Sequence, residues 1–170
     1  GLYTSPHLLA YNERIRVDGR PAGDQDLCEA FARIDRARGD ISLTYFEFGT
    51  LAAMDLFQRR PVDIAVMEVG MGGRLDAVNM LDADVSLVTT IDLDHQRWLG
   101  PDRQAIGREK AGIFRSLRPA VCGDPDPPPA VMETAHAVGA NLLRSGHDFH
   151  HARSRDGWSP LGTCTATWTA

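Results

Sequence analysis

The sequence predicts an α/β layered fold built on a parallel sheet. Two near-continuous apolar runs carry this reading, Val62-Asp63-Ile64-Ala65-Val66-Met67 and Val85-Ser86-Leu87-Val88-Thr89-Thr90-Ile91. Both are of strand length and rich in β-branched residues, the pattern of parallel strands buried on both faces. Segments of helical spacing alternate with them, and interleaved helices and buried strands form parallel βαβ units. At 170 residues, the chain can bury one core of ordinary domain size.

The elements follow in order. Arg14-Ile15-Arg16-Val17 alternates polar and apolar before Asp18-Gly19, a strand and then a turn. From Asp24, Leu27, Phe31 and Ile34 recur at helical spacing until Gly39. A second helix opens at Thr44-Tyr45-Phe46-Glu47, with Phe48, Leu51, Ala52 and Leu56 on one face and Pro61 as its stop. Thr44 and Glu47 match the S/T-x-x-E capping box. After the two apolar runs come a helix over about 101–111, a short strand Ala120-Val121-Cys122, and a helix after Pro129. Beyond Trp158 the sequence turns small and Thr-rich (SPLGTCTATWTA) without periodicity.

Composition narrows the function. Hydrophobic residues make up 43% and charged residues 24%, and the formal net charge is −5 without blocks of like charge. That disfavours a nucleic-acid or polybasic membrane surface. No apolar run approaches the ~20 residues of a membrane span. Cys28, Cys122 and Cys164 are far apart and odd in number, which argues against a disulfide framework and for a reducing cytosol.

In open parallel sheets, ligands sit beyond the carboxyl ends of the strands. The first apolar run ends in Glu68-Val69-Gly70-Met71-Gly72-Gly73-Arg74-Leu75-Asp76. A carboxylate there calls for a partner or a cation. The glycines serve either a tight turn or a loop whose amides approach a ligand. The second run ends in Asp92-Leu93-Asp94-His95, read either as a helix cap beside a solvated His or as a ligand set. Neighbouring strands would bring Glu68 and His95 to one cation, which by ligand chemistry alone is zinc or manganese. Lys110 in Arg108-Glu109-Lys110-Ala111-Gly112 reads locally as a helix C-terminal cation.

Taken together, TSPHL, SLTYFEFGTLAA, VMEVGMGGRLDAVN, TTIDLDHQRWLG and IGREKAGIFR, in this order, resemble the folylpolyglutamate synthase/dihydrofolate synthase family of the Mur ligase superfamily. Its bifunctional bacterial members are the most similar, and the resemblance covers roughly residues 1–158. It implies a parallel-sheet, P-loop NTPase-like Mur ligase central domain, truncated at both ends. It also implies a reaction. ATP phosphorylates a substrate carboxylate, L-glutamate attacks the acyl phosphate, and an amide forms, with catalysis by positioning and cation stabilisation.

By the same resemblance, Ser5, Glu68 and His95 hold magnesium rather than zinc or manganese. Lys110, carbamylated by carbon dioxide, bridges to a second magnesium ion, so His95 and Lys110 are the catalytic pair. Thr44, Tyr45, Phe46, Glu47, Leu75, Asp76 and Ala77 line the pterin site. The substrates implied are ATP, dihydropteroate or a reduced folate, and L-glutamate, handled by a cytoplasmic monomer that binds neither nucleic acid nor membrane. Val78 stands where the family usually has a small or hydroxyl residue, which bears on substrate affinity.

The resemblance also sets expectations for the ends. The family's GTNGKGS phosphate loop and its C-terminal ligase domain have no counterpart in the chain, so residues 1–158 are expected to be a partial central domain. Residues 159–170 are expected to be an atypical tail. Its segment GTCTATWTA can be back-translated so that a shifted frame reads DVHGDLDG, a family-like segment, which places a frameshift between Trp158 and Thr163. Two alternatives accompany the ligase reading. One is a non-catalytic fragment with at most residual magnesium or pterin binding. The other is a sister ligase acting on a peptidoglycan precursor, which TYFEFGT and REKAGIF disfavour.

Overall fold

The computed structural model describes residues 1–154 and 157–161. The chain divides into two compact units, Gly1–Leu81 and the residues from Asp82 onward.

In the first unit, β1 (Leu2–Tyr3), β2 (Ile15–Val17), β3 (Arg20–Pro21) and β4 (Val66–Met67) form one sheet in the order β3-β2-β1-β4. β4 runs parallel to β1, with Leu2 opposite Val66 and Tyr3 opposite Met67. The β2–β3 turn is made by Asp18 and Gly19, both with positive φ. Helices α1 (Asp24–Arg38) and α2 (Tyr45–Arg59) complete the unit with a 3₁₀ turn over Ala77–Met80. The expected capping box is present: Thr44 Oγ1 accepts the Glu47 N–H at 3.2 Å, and a Glu47 carboxylate oxygen accepts the Thr44 N–H at 2.7 Å. Tyr3, Ile15, Ala30, Ala52, Ala53 and Leu56 are the centre of its core.

In the second unit, β5 (Ser86–Val88), β6 (Pro119–Cys122) and β7 (Asn141–Arg144) make an all-parallel sheet in that order. Helices α3 (Gln96–Leu99), α4 (Arg103–Ala111) and α5 (Pro129–Val138) lie between the strands in sequence. A hairpin of β8 (His150–Ser154) and β9 (Gly157–Leu161) follows. Val88, Ile91, Ile106, Phe114, Ala120, Cys122 and Val131 form the core. Gly107 lets α4 and the start of α5 approach closely, since a Cβ there would lie 2.7 Å from Pro128 Cγ. No helix among the described residues is long and apolar enough to cross a membrane.

The α/β fold with a parallel sheet is as expected; three details differ. The 62–67 run yields only a two-residue strand, with Ile64 72% and Val66 55% exposed. Along 85–91, Ser86 and Val88 are buried whereas Val85 and Leu87 are exposed. Each of these strands has one hydrogen-bonded neighbour in its sheet, so neither is covered as a central strand is. The buried stripe of α2 is Gly49, Thr50, Ala52, Ala53, Leu56 and Phe57, with Phe48 and Leu51 only half-buried. Small residues turn inward because the buried Tyr3 ring needs the room: its hydroxyl accepts from Thr50 Oγ1 at 3.3 Å. Of the 159–170 tail, residues 162–170 lie outside the described residues, and so does the end of the expected frameshift interval.

Candidate functional site

The parallel pair β1–β4 delivers two loops side by side at its carboxyl end. The ladder continues past the strands through Glu68 N–H to the Tyr3 carbonyl at 2.9 Å. Two residues beyond Tyr3, the Ser5 N–H donates to the side chain of the same Glu68, at Oε2, at 2.7 Å. Ser5 and Glu68, expected at one cation, are therefore brought together within the first unit. Glu68 is solvent-exposed, and its other carboxylate oxygen has no partner among the described residues.

Both loops at this end are held by a carboxylate of their own. Glu13 accepts the backbone N–H groups of Leu8, Leu9 and Ala10 at 2.9, 2.9 and 2.8 Å. Those amide bonds, the one from Leu8 foremost, hold its carboxyl down at about 2. This fixes the turn just after Ser5. Asp76 does the same for the glycine loop: Oδ2 accepts from Gly70 and Met71 at 3.1 and 3.0 Å, and Oδ1 from Val78 at 2.9 Å. The Asp76 carboxylate is thus engaged by main-chain amides of its own loop.

The segment over residues 44–47 meets that loop through Phe46. A Cβ on Gly70 would lie 2.7 Å from the Phe46 ring, so glycine is what permits the contact. The two parts of the expected pterin set, Thr44 to Glu47 and Leu75 to Ala77, are in this way neighbours. Their side chains point to different duties. Thr44 and Tyr45 line a cavity of about 430 Å³ with Tyr11, Phe31, Leu43 and Phe48, whereas Glu47 caps α2. Leu75 is 80% exposed.

Sequence reasoning passed over Arg14. It is buried at 8% exposure, with its guanidinium carbon 5.3 and 5.6 Å from the Tyr45 and Tyr11 ring centroids. Its Nε donates to His7 Nδ1 at 2.9 Å, which places the proton of that imidazole on Nε2. Tyr11 is pushed up to about 12, first by burial and then by the neighbouring Tyr3 and Tyr45. No signal was available beforehand, because the alternation Arg14-Ile15-Arg16-Val17 puts both arginines at polar positions.

In the second unit, His95 follows β5 through the loop that begins at Thr89 and includes Ile91. It is the N-cap of α3, in the left-handed region at φ 49. Its side chain is 54% exposed, and Nε2 lies 3.5 Å from Asp94 Oδ2. The cap is thus His95 itself rather than an aspartate. Lys110 sits in the last turn of α4, half-buried, and its ammonium makes no hydrogen bond or ion pair among the described residues.

The donor chemistry fits a hard cation. Ser5 and Glu68 offer oxygen, and among the described residues no three His, Cys, Asp or Glu side chains converge as a closed metal cage. Such a pair suits a hard divalent cation, magnesium or manganese, that completes its shell with water and phosphate oxygens.

Comparison with known proteins bears directly on this arrangement. No family model matches the chain. It is 52% identical over 159 residues to the dihydrofolate synthase/folylpolyglutamate synthase of Escherichia coli K12, covering 94% of the chain and 38% of that protein. The structure of E. coli FolC in complex with DHPP and ADP superposes with a TM-score of 0.93 at 50% identity, covering 96% of this chain and 39% of that one. The bifunctional folylpolyglutamate synthase/dihydrofolate synthase of Yersinia pestis, complexed with AMPPNP and Mn ion, matches at TM-score 0.87 and 50% identity, over 92% of this chain and 38% of that one. The resemblance to this family read from the motifs holds across nearly the whole chain, in sequence and in fold. The chain spans less than two-fifths of the length of these relatives.

Proposed function

We propose that this chain carries the cation and pterin side of an ATP-dependent amide ligase of folate synthesis. The parent protein adds L-glutamate to dihydropteroate, to reduced folate polyglutamates, or to both, in the cytoplasm and as a monomer. The observation that carries the reading is the Ser5–Glu68 pair at the carboxyl end of β1 and β4, set in a chain 52% identical to a dihydrofolate synthase/folylpolyglutamate synthase.

The chemistry divides into two transfers. The substrate carboxylate attacks the γ-phosphorus of ATP, the bond to ADP breaks, and an acyl phosphate forms. The glutamate amine then attacks the acyl carbon, phosphate leaves with the bonding pair, and the amine gives up a proton to complete the amide. Magnesium, two ions in this reading, would neutralise the charge that builds on the transferring phosphoryl group. Ser5, Glu68 and His95 would be the residues that hold it, and Lys110, as its carbamate, would supply a further oxygen donor.

The remaining residues orient the substrate. Thr44, Tyr45, Phe46 and Glu47 form one wall of the pterin site, and Leu75, Asp76 and Ala77 the other. The Asp76 carboxylate, which accepts the Gly70, Met71 and Val78 amides, holds the shape of that second wall. A substrate panel tests the assignment on a protein of the relatives' length that carries this chain. Supplied with magnesium and ATP, it releases ADP when dihydropteroate or a reduced folate is given with L-glutamate. Turnover of a peptidoglycan precursor instead would replace this reading with the sister ligase.

A further inference from the structure

Behind the His95 loop lies a group of interactions that the ligase reading does not use. Asp124 follows β6, and its side chain is almost fully buried, the residue being 2% exposed. Its Oδ2 accepts the Ile91 N–H at 2.7 Å, and its Oδ1 accepts the Asp126 N–H at 2.9 Å. Arg103 closes the other side. Its Nε donates to the Ile91 carbonyl at 2.8 Å, and one terminal nitrogen donates to Asp124 Oδ2 at 3.2 Å and to the Asp126 carbonyl at 2.8 Å. Both main-chain groups of Ile91 are therefore held by one ion pair.

The placement of Arg103 is informative. It is the first residue of α4, directly after the Asp102 N-cap, where the helix dipole disfavours a cation. The planar fork of arginine offsets this by reaching three acceptors at once. The pair also ties together three pieces of chain: the loop after β5, the loop after β6, and the start of α4. Ile91 lies in the loop that leads to His95, and Arg103 opens the helix that carries Lys110 in its last turn.

We propose that Arg103 and Asp124 are positioning residues that fix the His95 loop against the helix bearing Lys110. The effect on cation binding rests on the reading of His95 as a ligand; the effect on the loop does not. Partners that orient metal ligands from behind change metal affinity by about 10–100-fold when altered.

The test uses the isotope-labelled 170-residue chain and its Asp124→Asn and Arg103→Lys variants, with two readouts in NMR. The first is amide hydrogen exchange at Ile91 and through residues 92–95. The second is the manganese concentration that half-broadens the His95 imidazole signals. Asp124→Asn is expected to exchange at Ile91 at least about tenfold faster, and both variants to exchange faster through residues 92–95, while the amides of β6 and β7 keep their rates. Both should also need about tenfold more manganese. Unchanged exchange in both variants overturns the proposal, as does faster exchange with an unchanged manganese requirement. If the parent chain shows no broadening at His95, the ligand reading fails, and the exchange rates alone then decide whether the clamp exists. If Asp124→Asn does not fold, Arg103→Lys decides, because it leaves the bonds of Asp124 to Ile91 and Asp126 in place.

Discussion

The two units hold their site loops by different means. In the first, Glu13 grips amides three to five residues before it, and Asp76 grips Gly70, Met71 and Val78, all within six residues. These are half-buried carboxylates acting on their own loops. In the second, Asp124 reaches Ile91 across 33 residues, and Arg103 reaches it across 12. A local grip survives as long as its loop is intact. A long-range clamp exists only while β5 and β6 are paired, so its loss is felt by the sheet as well as by the loop.

The largest effect should follow from Asp124→Ala. It strands the Arg103 guanidinium and the Ile91 N–H, and removing one partner of a buried pair costs about 3 kcal/mol where the other partner is partly exposed, as Arg103 is. Urea unfolding would show it; a loss below about 1 kcal/mol would put this clamp in the same class as the local grips. Asp76→Ala should cost less, about 1–2 kcal/mol. Its mark is faster hydrogen exchange at Gly70, Met71 and Val78 with the α2 amides unchanged. Should α2 loosen as well, the grip is not local.

Smaller again is Thr44→Ala, which removes the N-cap of α2 for about 0.5–1 kcal/mol, readable as a modest drop in thermal midpoint. Last comes Glu13, whose effect is one of pH. Its carboxyl is depressed from 4.5 to about 2 in the folded chain. Its contribution is therefore complete above pH 4.5 and fades as pH falls through about 2. A carbon-detected titration of the Glu13 carboxyl should show that low midpoint, and a midpoint near 4.5 would mean the turn over Leu8 to Ala10 is not held.

What could be read in advance follows the same division. The capping box at Thr44 and Glu47, the run of α1 from Asp24, and the turn at Asp18-Gly19 are local patterns, and the structure reproduces them. The burial of Ile64, Val66, Val85 and Leu87 was misjudged because apolar content cannot say whether a strand has one neighbour or two. Arg103 and Asp124 carried no visible signal, since an arginine after an N-cap and an aspartate in a proline-rich stretch are ordinary until β5 and β6 align. The Ser5–Glu68 pair was legible only through resemblance. Spacing of 63 residues says nothing by itself, and their meeting depends on the parallel register of β1 with β4.

One assay bears most directly on the chain as the cation side of a ligase. ADP release in the presence of dihydropteroate and L-glutamate is compared between the protein of the relatives' length and its Lys110→Ala variant. Removing a group that stabilises developing charge should slow turnover by about 10²–10³-fold, with the thermal midpoint little changed because the Lys110 ammonium makes no hydrogen bond or ion pair among the described residues. A variant as fast as the parent would contradict the role given to Lys110 and, with it, the placing of the chemistry on this chain.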